Sequence, residues 1–219
     1  MDRRAVIGRG TLLGASLFGP PAAASPIGTS WIFDNLARIG SLPVTLTGAP
    51  ALAASPWGPA VAFDGVRDAL FLPEHPLAGA ATFTIEALFR PDGGAIAQRW
   101  LHLEAESQPP VPLGTSDTRM MFELRIVDGH WYLDAFATGP GYRRPLMAAN
   151  KRFPLGRWYH VAQSYDGTTY RSFVNGEVQA AAAIAFRPQG PGRTSVGVRL
   201  NQVDYFHGAA CTSPLTNER

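Results

Sequence analysis

Apolar and polar side chains alternate with a period of two along much of this sequence. The clearest case is the stretch 82–90, where apolar residues occupy every second position: Phe83, Ile85, Ala87 and Phe89. Successive side chains of a β-strand point to opposite faces of a sheet. The alternation therefore predicts a strand at 82–90 with one buried face.

Similar patterns predict short strands along the rest of the chain, and no segment predicts a helix. The predicted strands are 31–34, 60–63, 69–72, 95–104, 119–127, 131–137, 158–165, 169–174, 177–186 and 194–200. Prolines and glycines predict loops at 36–62, 105–118 and 139–145. Many short strands separated by turn residues are typical of an all-β sandwich or jelly roll.

Three Asx-Gly dipeptides predict tight turns between neighbouring strands. Asp128-Gly129 predicts a hairpin, while Asp166-Gly167 and Asn175-Gly176 lie only nine residues apart in the chain. These residue types tolerate the positive φ that hairpin turns require. The last two turns therefore predict a meander of three consecutive strands.

The segment that contains these last two turns resembles a known family. Residues 158–162 read WYHVA, residues 165–167 read YDG and residues 173–176 read FVNG. Together they resemble the signature of laminin G-like jelly-roll domains, which belong to the concanavalin A-like lectin and glucanase superfamily. The resemblance extends over about residues 31–210 and implies a two-sheet antiparallel jelly-roll sandwich.

The C-terminus departs from the family pattern. The closing motif, YFHGA at 205–209, is normally followed by a final strand that pairs near the N-terminal one, but here the chain continues as ACTSPLTNER. We therefore expect the C-terminal strand to be missing or shortened. The strand predicted at 31–34 would then border an incomplete sheet, with an exposed edge prone to pairing with another chain.

The N-terminus has the features of an export signal. Arg3 and Arg4 precede a mildly apolar stretch at 11–18, and three alanines at 22–24 precede Ser25. This pattern predicts a twin-arginine-like signal at 1–24 and one mature domain at 25–219, in the periplasm or outside the cell. The alternative is a disordered N-terminal arm.

Composition narrows the function classes. The 219 residues, 46% of them hydrophobic, suffice for one sandwich with a large core. Without residues 1–24, which carry three arginines and one aspartate, the chain is close to neutral, so we expect no nucleic-acid partner. No apolar run is long enough to predict a membrane span. Cys211 is the only cysteine, so no disulfide forms within the chain.

The resemblance implies that the curved sheet presents its outward side chains to a glycan. Alternation places seven candidate ligand-binding residues on that face: Trp100, His102, Glu104, Glu123, Arg125, Tyr132 and Asp134. Aromatic rings stack on sugar faces, and arginine and carboxylate groups hydrogen-bond hydroxyls in fixed directions. The alternative is a solvated sheet face with cross-strand charge pairs, which is the usual state of an antiparallel sheet.

Catalysis on the same face is a second hypothesis. Glycosidases of the superfamily usually carry Glu-x-Asp-x-x-Glu on one strand, whereas residues 122–126 contain one acid. Jelly-roll polysaccharide lyases carry a Gln-x-His element that is absent here. We therefore predict a non-catalytic glycan-binding module. The alternatives are a polysaccharide hydrolase or lyase using Glu104, Glu123, Asp134 or His102, and a structural or adhesive module that binds a protein.

Calcium is the one cofactor that the sequence suggests. Asp64 and Asp68 frame a turn, and carboxylate oxygens are the ligands that Ca²⁺ prefers. The alternative is that the Asp64-Gly65 turn serves backbone geometry alone.

Overall fold

The computed structural model describes residues 30–211, which form seventeen β-strands, β1 to β17 in chain order, and no helix. Among these residues, no helical segment has the length and hydropathy needed to cross a membrane. The predicted signal at 1–24 lies outside the described residues, as do residues 212–219.

An eight-stranded antiparallel sheet forms one layer of the structure. Its strands are β3 (Thr45–Thr47), β6 (Ala69–Leu72), β8 (Ala97–Ala105), β9 (Arg119–Val127), β10 (His130–Gly139), β11 (Tyr142–Met147), β12 (Phe153–Pro154) and β16 (Gly192–Val196). They lie in the order β11-β10-β9-β8-β16-β6-β3, and β12 pairs with β10 beside β11.

A seven-stranded antiparallel sheet forms the second layer. Its strands are β4 (Ala51–Ser55), β5 (Gly58–Asp64), β7 (Phe83–Pro91), β13 (Tyr159–Tyr165), β14 (Thr169–Val174), β15 (Glu177–Ala183) and β17 (His207–Cys211). They lie in the order β15-β14-β13-β7-β17-β5-β4. A separate hairpin consists of β1 (Arg38–Ile39) and β2 (Leu42–Pro43).

The core lies between the two sheets and is rich in aromatic side chains. Trp131 of β10 is fully buried, with its ring centroid 4.9 Å from Phe89 of β7 and 5.0 Å from Tyr159 of β13. Both pairs are edge-to-face, the arrangement that the aromatic quadrupole favours. Phe83, Ala87 and Phe89 belong to this core, as the alternation predicted. The predicted two-sheet antiparallel sandwich is confirmed.

Two of the predicted tight turns have the backbone that their residues favour. Asp128 and Gly129 have φ of 51° and 71°, and Asn175 and Gly176 have φ of 49° and 80°. Positive φ at both central residues matches the right-handed twist of the flanking strands. The first turn joins β9 to β10, and the second joins β14 to β15, so the predicted meander β13-β14-β15 is confirmed.

Two predicted loops contain strands. Strands β1 to β4 and the start of β5 lie within 36–62, and most of 139–145 belongs to β11. The loop prediction at 139–145 rested partly on Pro145, because proline usually interrupts the hydrogen bonds between strands. However, β11 lies at the edge of its sheet, where a proline is tolerated. Tyr142 and Leu146 contribute to the core from this strand.

The strand predicted at 31–34, at the border of an incomplete sheet, is wrong. Residues 31–34 form no strand, and Phe33 packs into the core instead. The closing motif itself becomes β17, which pairs with β5 on one side and β7 on the other. Its backbone groups are therefore used in the middle of the sheet, and the edges are β4 and β15. The strand has five described residues and ends, like the described chain, at Cys211.

Candidate functional site

The outer face of the eight-stranded sheet carries the polar side chains of β8, β9 and β10. On β9, Met120, Phe122 and Leu124 point into the core, so the side chains between them point away from it. We call this surface the polar face. Its residues are Arg99, His102, Glu104, Arg119, Met121, Glu123, Arg125, Tyr132, Asp134 and Phe136, none of which belongs to the core cluster.

Strand register arranges these side chains in rows across the sheet. The rows are Arg99, Glu123 and Asp134; His102, Met121 and Phe136; and Glu104, Arg119 and Thr138. Directly opposite side chains on antiparallel strands lie within contact distance of one another. Six of the seven predicted ligand-binding residues therefore lie on one surface, as the alternation predicted.

Trp100 is the exception. The register of β8 shifts between Arg99 and Leu101, so that Trp100 and Leu101 both point into the core. The Trp100 ring stacks on Phe89 at 6.0 Å and is only 4% exposed. The prediction that Trp100 faces outward is wrong, because a bulge of this kind shifts the alternation by one residue. Arg99 takes its place on the polar face.

Ion pairs connect the polar face across its strands. Arg99 forms salt bridges with Glu123 and with Asp204, which lies in the loop after β16. Beside it, Nε and Nη2 of Arg125 each lie 2.8 Å from the same oxygen of Asp134. These contacts are the cross-strand charge pairs that were the alternative to a glycan site.

Two loops cover part of the polar face. In loop 106–118, the amides of Gly114 and Ser116 donate to the two oxygens of Glu104 at 3.0 and 3.2 Å. In loop 197–206, the amide of Leu200 donates to Nδ1 of His102 at 3.0 Å. The face is therefore not the open, solvated surface of an ordinary antiparallel sheet.

Most of the polar face is buried, and few of its positions are exposed. Met147, opposite Asp134 on β11, is 56% exposed, and the Arg125 side chain is 27% exposed. Tyr132 is 9% exposed, Glu123 3% and His102 0%. Solvent therefore reaches this face mainly at Met147 and Arg125.

Burial and neighbouring charges alter the titration of two groups. Burial raises the pKa of Glu123 to about 7; Arg99 opposes this rise and Asp134 adds to it. Burial also lowers the pKa of His102 to about 3, and Arg199 and Arg119 lower it further. His102 is therefore neutral near pH 7, and because its Nδ1 accepts a hydrogen bond, its proton lies on Nε2.

Several buried donors of this region have no hydrogen-bond partner within the described part of the protein. They are Nε of Arg99, Nε2 of His102, Nε of Arg119 and Nε of Arg199. Buried polar groups are normally hydrogen-bonded, and a buried donor without a partner costs about 1–3 kcal/mol.

The predicted calcium ligands lie elsewhere, in the turn after β5. Oδ1 of Asp64 accepts hydrogen bonds from the amides of Val66, Arg67 and Asp68. The Asp68 carboxylate accepts from the amides of Ala49 and Asp64. Within 30–211, no group of three His, Cys, Asp or Glu side chains is placed to hold a metal. This geometry does not fit a calcium site at these two residues, and calcium dependence stays a prediction for the binding experiment.

Sequence reasoning missed several residues of the site. Arg119 could have been predicted from the sequence, because it continues the alternation of Glu123 and Arg125 on β9. Arg143 was missed because its strand was predicted as a loop. Arg199 comes from a loop that only the tertiary structure brings over the sheet, and no signal in the sequence indicates this position.

Comparisons with known proteins agree with this fold. A laminin G-like model described as "Concanavalin A-like lectin/glucanases superfamily" matches residues 64–211. Comparison of the sequence with curated proteins finds no match.

Two solved structures illustrate the similarity. Domain 4 of AbnA, a GH43 extracellular arabinanase from Geobacillus stearothermophilus solved in complex with arabinotriose, has a TM-score of 0.59 and 17% identity, covering 83% of this chain and 87% of that one. The globular domain of T. cruzi calreticulin has a TM-score of 0.57 and 11% identity, covering 84% and 86%. At these identities the likeness establishes the fold alone. Together with the family match over most of its length, it shows that this chain belongs to the concanavalin A-like lectin/glucanases superfamily.

Proposed function

We propose that this protein is an exported, non-catalytic module that binds a glycan on its polar face. The observation that carries the proposal is the cluster of ordered arginine and carboxylate groups on one face, of which Arg125 and, at the β11 edge, Arg143 reach solvent. Sugars supply many oxygen acceptors in fixed directions, which is what such a surface requires. A domain of the same fold binds arabinotriose in the extracellular arabinanase, which supports both the ligand class and export.

The contacts of the acidic side chains favour binding over catalysis. A glycosidase needs one carboxyl group as acid and a second as base or nucleophile, both in reach of the substrate. Here Glu104 accepts two backbone hydrogen bonds, Glu123 pairs with Arg99, and Asp134 pairs with Arg125. His102 is fully buried and holds the Leu200 amide. The candidate catalytic groups of a hydrolase or lyase are therefore already engaged in structural contacts.

A glycan array on the full-length chain, with and without calcium, tests this proposal. Arg125→Gln removes a charged donor that reaches solvent, and we expect it to weaken binding by roughly tenfold, the value of a hydrogen bond to a charged group. Arg171→Gln is the matched control, because Arg171 forms a similar pair with Asp166 on the other sheet, 2.5 Å apart.

Three outcomes separate the hypotheses. Binding that is lost in Arg125→Gln and retained in Arg171→Gln supports the proposal. Binding that requires calcium and is lost on substitution of Asp64 or Asp68 moves the site to that turn. If the folded protein binds no glycan on the array, the proposal fails, and a module that binds a protein becomes the better hypothesis.

A further inference from the structure

Three arginines lie close together at the β11 side of the polar face, and two of them flank one aromatic ring. Arg119 of β9 and Arg143 of β11 both lie opposite Thr138, on either side of β10. Their guanidinium carbons lie 5.5 and 5.2 Å from the ring centroid of Phe136. Both are therefore held in cation–π geometry over a side chain that is itself 7% exposed.

The third arginine reaches this region from loop 197–206. Nη2 of Arg199 donates to the carbonyl of Gly114 at 2.6 Å, and Nη1 of Arg119 donates to the carbonyl of Ser116. Both carbonyls belong to loop 106–118, so one loop orients two guanidinium groups. A carbonyl is neutral, and these hydrogen bonds leave both charges uncompensated.

No carboxylate forms a salt bridge with these three arginines within residues 30–211. Arg99 and Arg125 each have an acidic partner on the same face, whereas no Asp or Glu oxygen of the described chain lies within the salt-bridge distance of 4.0 Å from Arg119, Arg143 or Arg199. Glu104 and Asp117 act on Arg119 through their charge without contacting it, and the Glu104 carboxylate accepts hydrogen bonds from two amides instead.

The lowered pKa values of Arg119 and His102 reflect an excess of positive charge in this region. Burial lowers the pKa of Arg119, and the charge of Arg199 lowers it further, ahead of the opposite effect of Glu104. The pKa of His102 is lowered in the same way by burial and then by Arg199 and Arg119. Arg119 is 8% exposed and its Nε has no partner, so a cationic group with unused hydrogen-bonding capacity is held in a partly dry environment.

We propose that the glycan bound on the polar face is anionic, and that Arg119, Arg143 and Arg199 bind its carboxylate or sulfate groups. This inference rests on the proposed function and names the ligand class for the same site. A guanidinium group presents a planar fork of donors that matches a carboxylate or sulfate, and the resulting bonds are charge-assisted. A neutral sugar would accept hydrogen bonds from these arginines but would leave their three positive charges unpaired. The whole chain carries a formal charge of only +2, so the anionic groups would be bound at this cluster and not along the extended basic surface that nucleic acid requires.

Binding measurements on matched glycan pairs test the charge requirement. One pair is an oligogalacturonate and its methyl ester, and the other is sulfated dextran and dextran. We expect the anionic member of at least one pair to bind about tenfold or more tightly than its neutral counterpart, with affinity that falls as salt is added. The two pairs distinguish carboxylate from sulfate as the recognised group.

Two neighbouring arginines of β11 provide the variant and its control. Arg143→Gln removes an exposed member of the cluster. Arg144→Gln removes another exposed charge of β11, which alternation places on the opposite side of the strand from Arg143. We expect Arg143→Gln to abolish most of the preference for the anionic glycan and Arg144→Gln to retain it. Thermal unfolding of both variants verifies that each is folded.

The outcomes separate this inference from the proposed function. Equal affinity for neutral and anionic members, or an anionic preference that both variants keep, overturns the inference and leaves glycan binding standing. Absence of binding to any glycan overturns the proposed function as well. Loss of the preference in Arg143→Gln alone supports the inference.

Discussion

The two outer faces of this sandwich have the same strand pairing and opposite chemistry. The polar face carries arginines and carboxylates that two loops cover. The opposite surface, which we call the alanine face, has small or apolar side chains along β4, β5 and β17 and at one position of β7: Ala51, Ala53, Ala60, Ala62, Ala209, Cys211 and Leu88. Trp158 packs against Ala60, Leu88 and Cys211, and the Trp57 ring meets it edge to face at 6.2 Å.

Ion pairs show most clearly what this difference means. On the alanine side, Arg90 and Asp92 form a two-bond pair at 2.8 Å, with side chains 33% and 27% exposed. On the polar face, the side chains of Arg99 and Glu123 are 10% and 4% exposed. Arginine–carboxylate pairs are thus partly exposed on one sheet and buried on the other. Burial under loops decides how much each pair contributes to the free energy of unfolding and how far the pKa values of its members shift.

The largest expected effect is that of breaking the buried pair. Above pH 7, where Glu123 is ionised, Arg99→Met leaves Glu123 and Asp204 without their cation, and removal of one partner from a buried ion pair costs about 3–5 kcal/mol. Arg90→Met is the matched control on the other sheet, where an exposed pair contributes about 0–1 kcal/mol. Urea unfolding of both variants measures the difference, and equal losses of stability would contradict the contrast between the two faces.

The next effect concerns pH. Since burial raises the pKa of Glu123 from 4.5 to about 7, the folded chain keeps a proton that the unfolded chain has released. Stability therefore falls as pH rises between these values. Relative to Glu123→Gln, the wild-type free energy of unfolding should fall by on the order of 3 kcal/mol across this window. Unfolding curves at a series of pH values measure this change, and parallel profiles of the two proteins would contradict it.

A smaller effect tests the cover of the alanine face. Trp158 is half-buried over Cys211, which is itself 2% exposed. We expect Trp158→Ala to cost about 2 kcal/mol, less than the loss of a fully buried aromatic side chain. It should also make Cys211 react several-fold faster with a thiol reagent. Leu52→Ala, at a 52% exposed position of the neighbouring edge strand, is the control, and equal thiol reactivity in both variants would show that Trp158 does not shield this face.

The alternation of β7 and β9 was enough to predict which of their side chains enter the core. It was also enough to place Glu123, Arg125, Tyr132 and Asp134 on one surface, because register in a hairpin follows from its turn. Trp100 shows the limit of this reasoning, since a single bulge in β8 exchanges it with Arg99. The strand at 207–211 shows another limit: its partners, β5 and β7, are distant in the chain, and no local pattern specifies them.

By itself, the sequence determined the all-β class, most strand positions, two tight turns and the polar composition of β8, β9 and β10. These features depend on interactions between residues close in the chain, namely side-chain alternation and turn conformation. Only the tertiary structure decided that loops 106–118 and 197–206 lie over the polar face. It also decided that Arg119, Arg143 and Arg199 meet without an acidic partner in the described chain. Such properties depend on contacts between distant segments, because burial and charge balance belong to the packed molecule and not to any one strand.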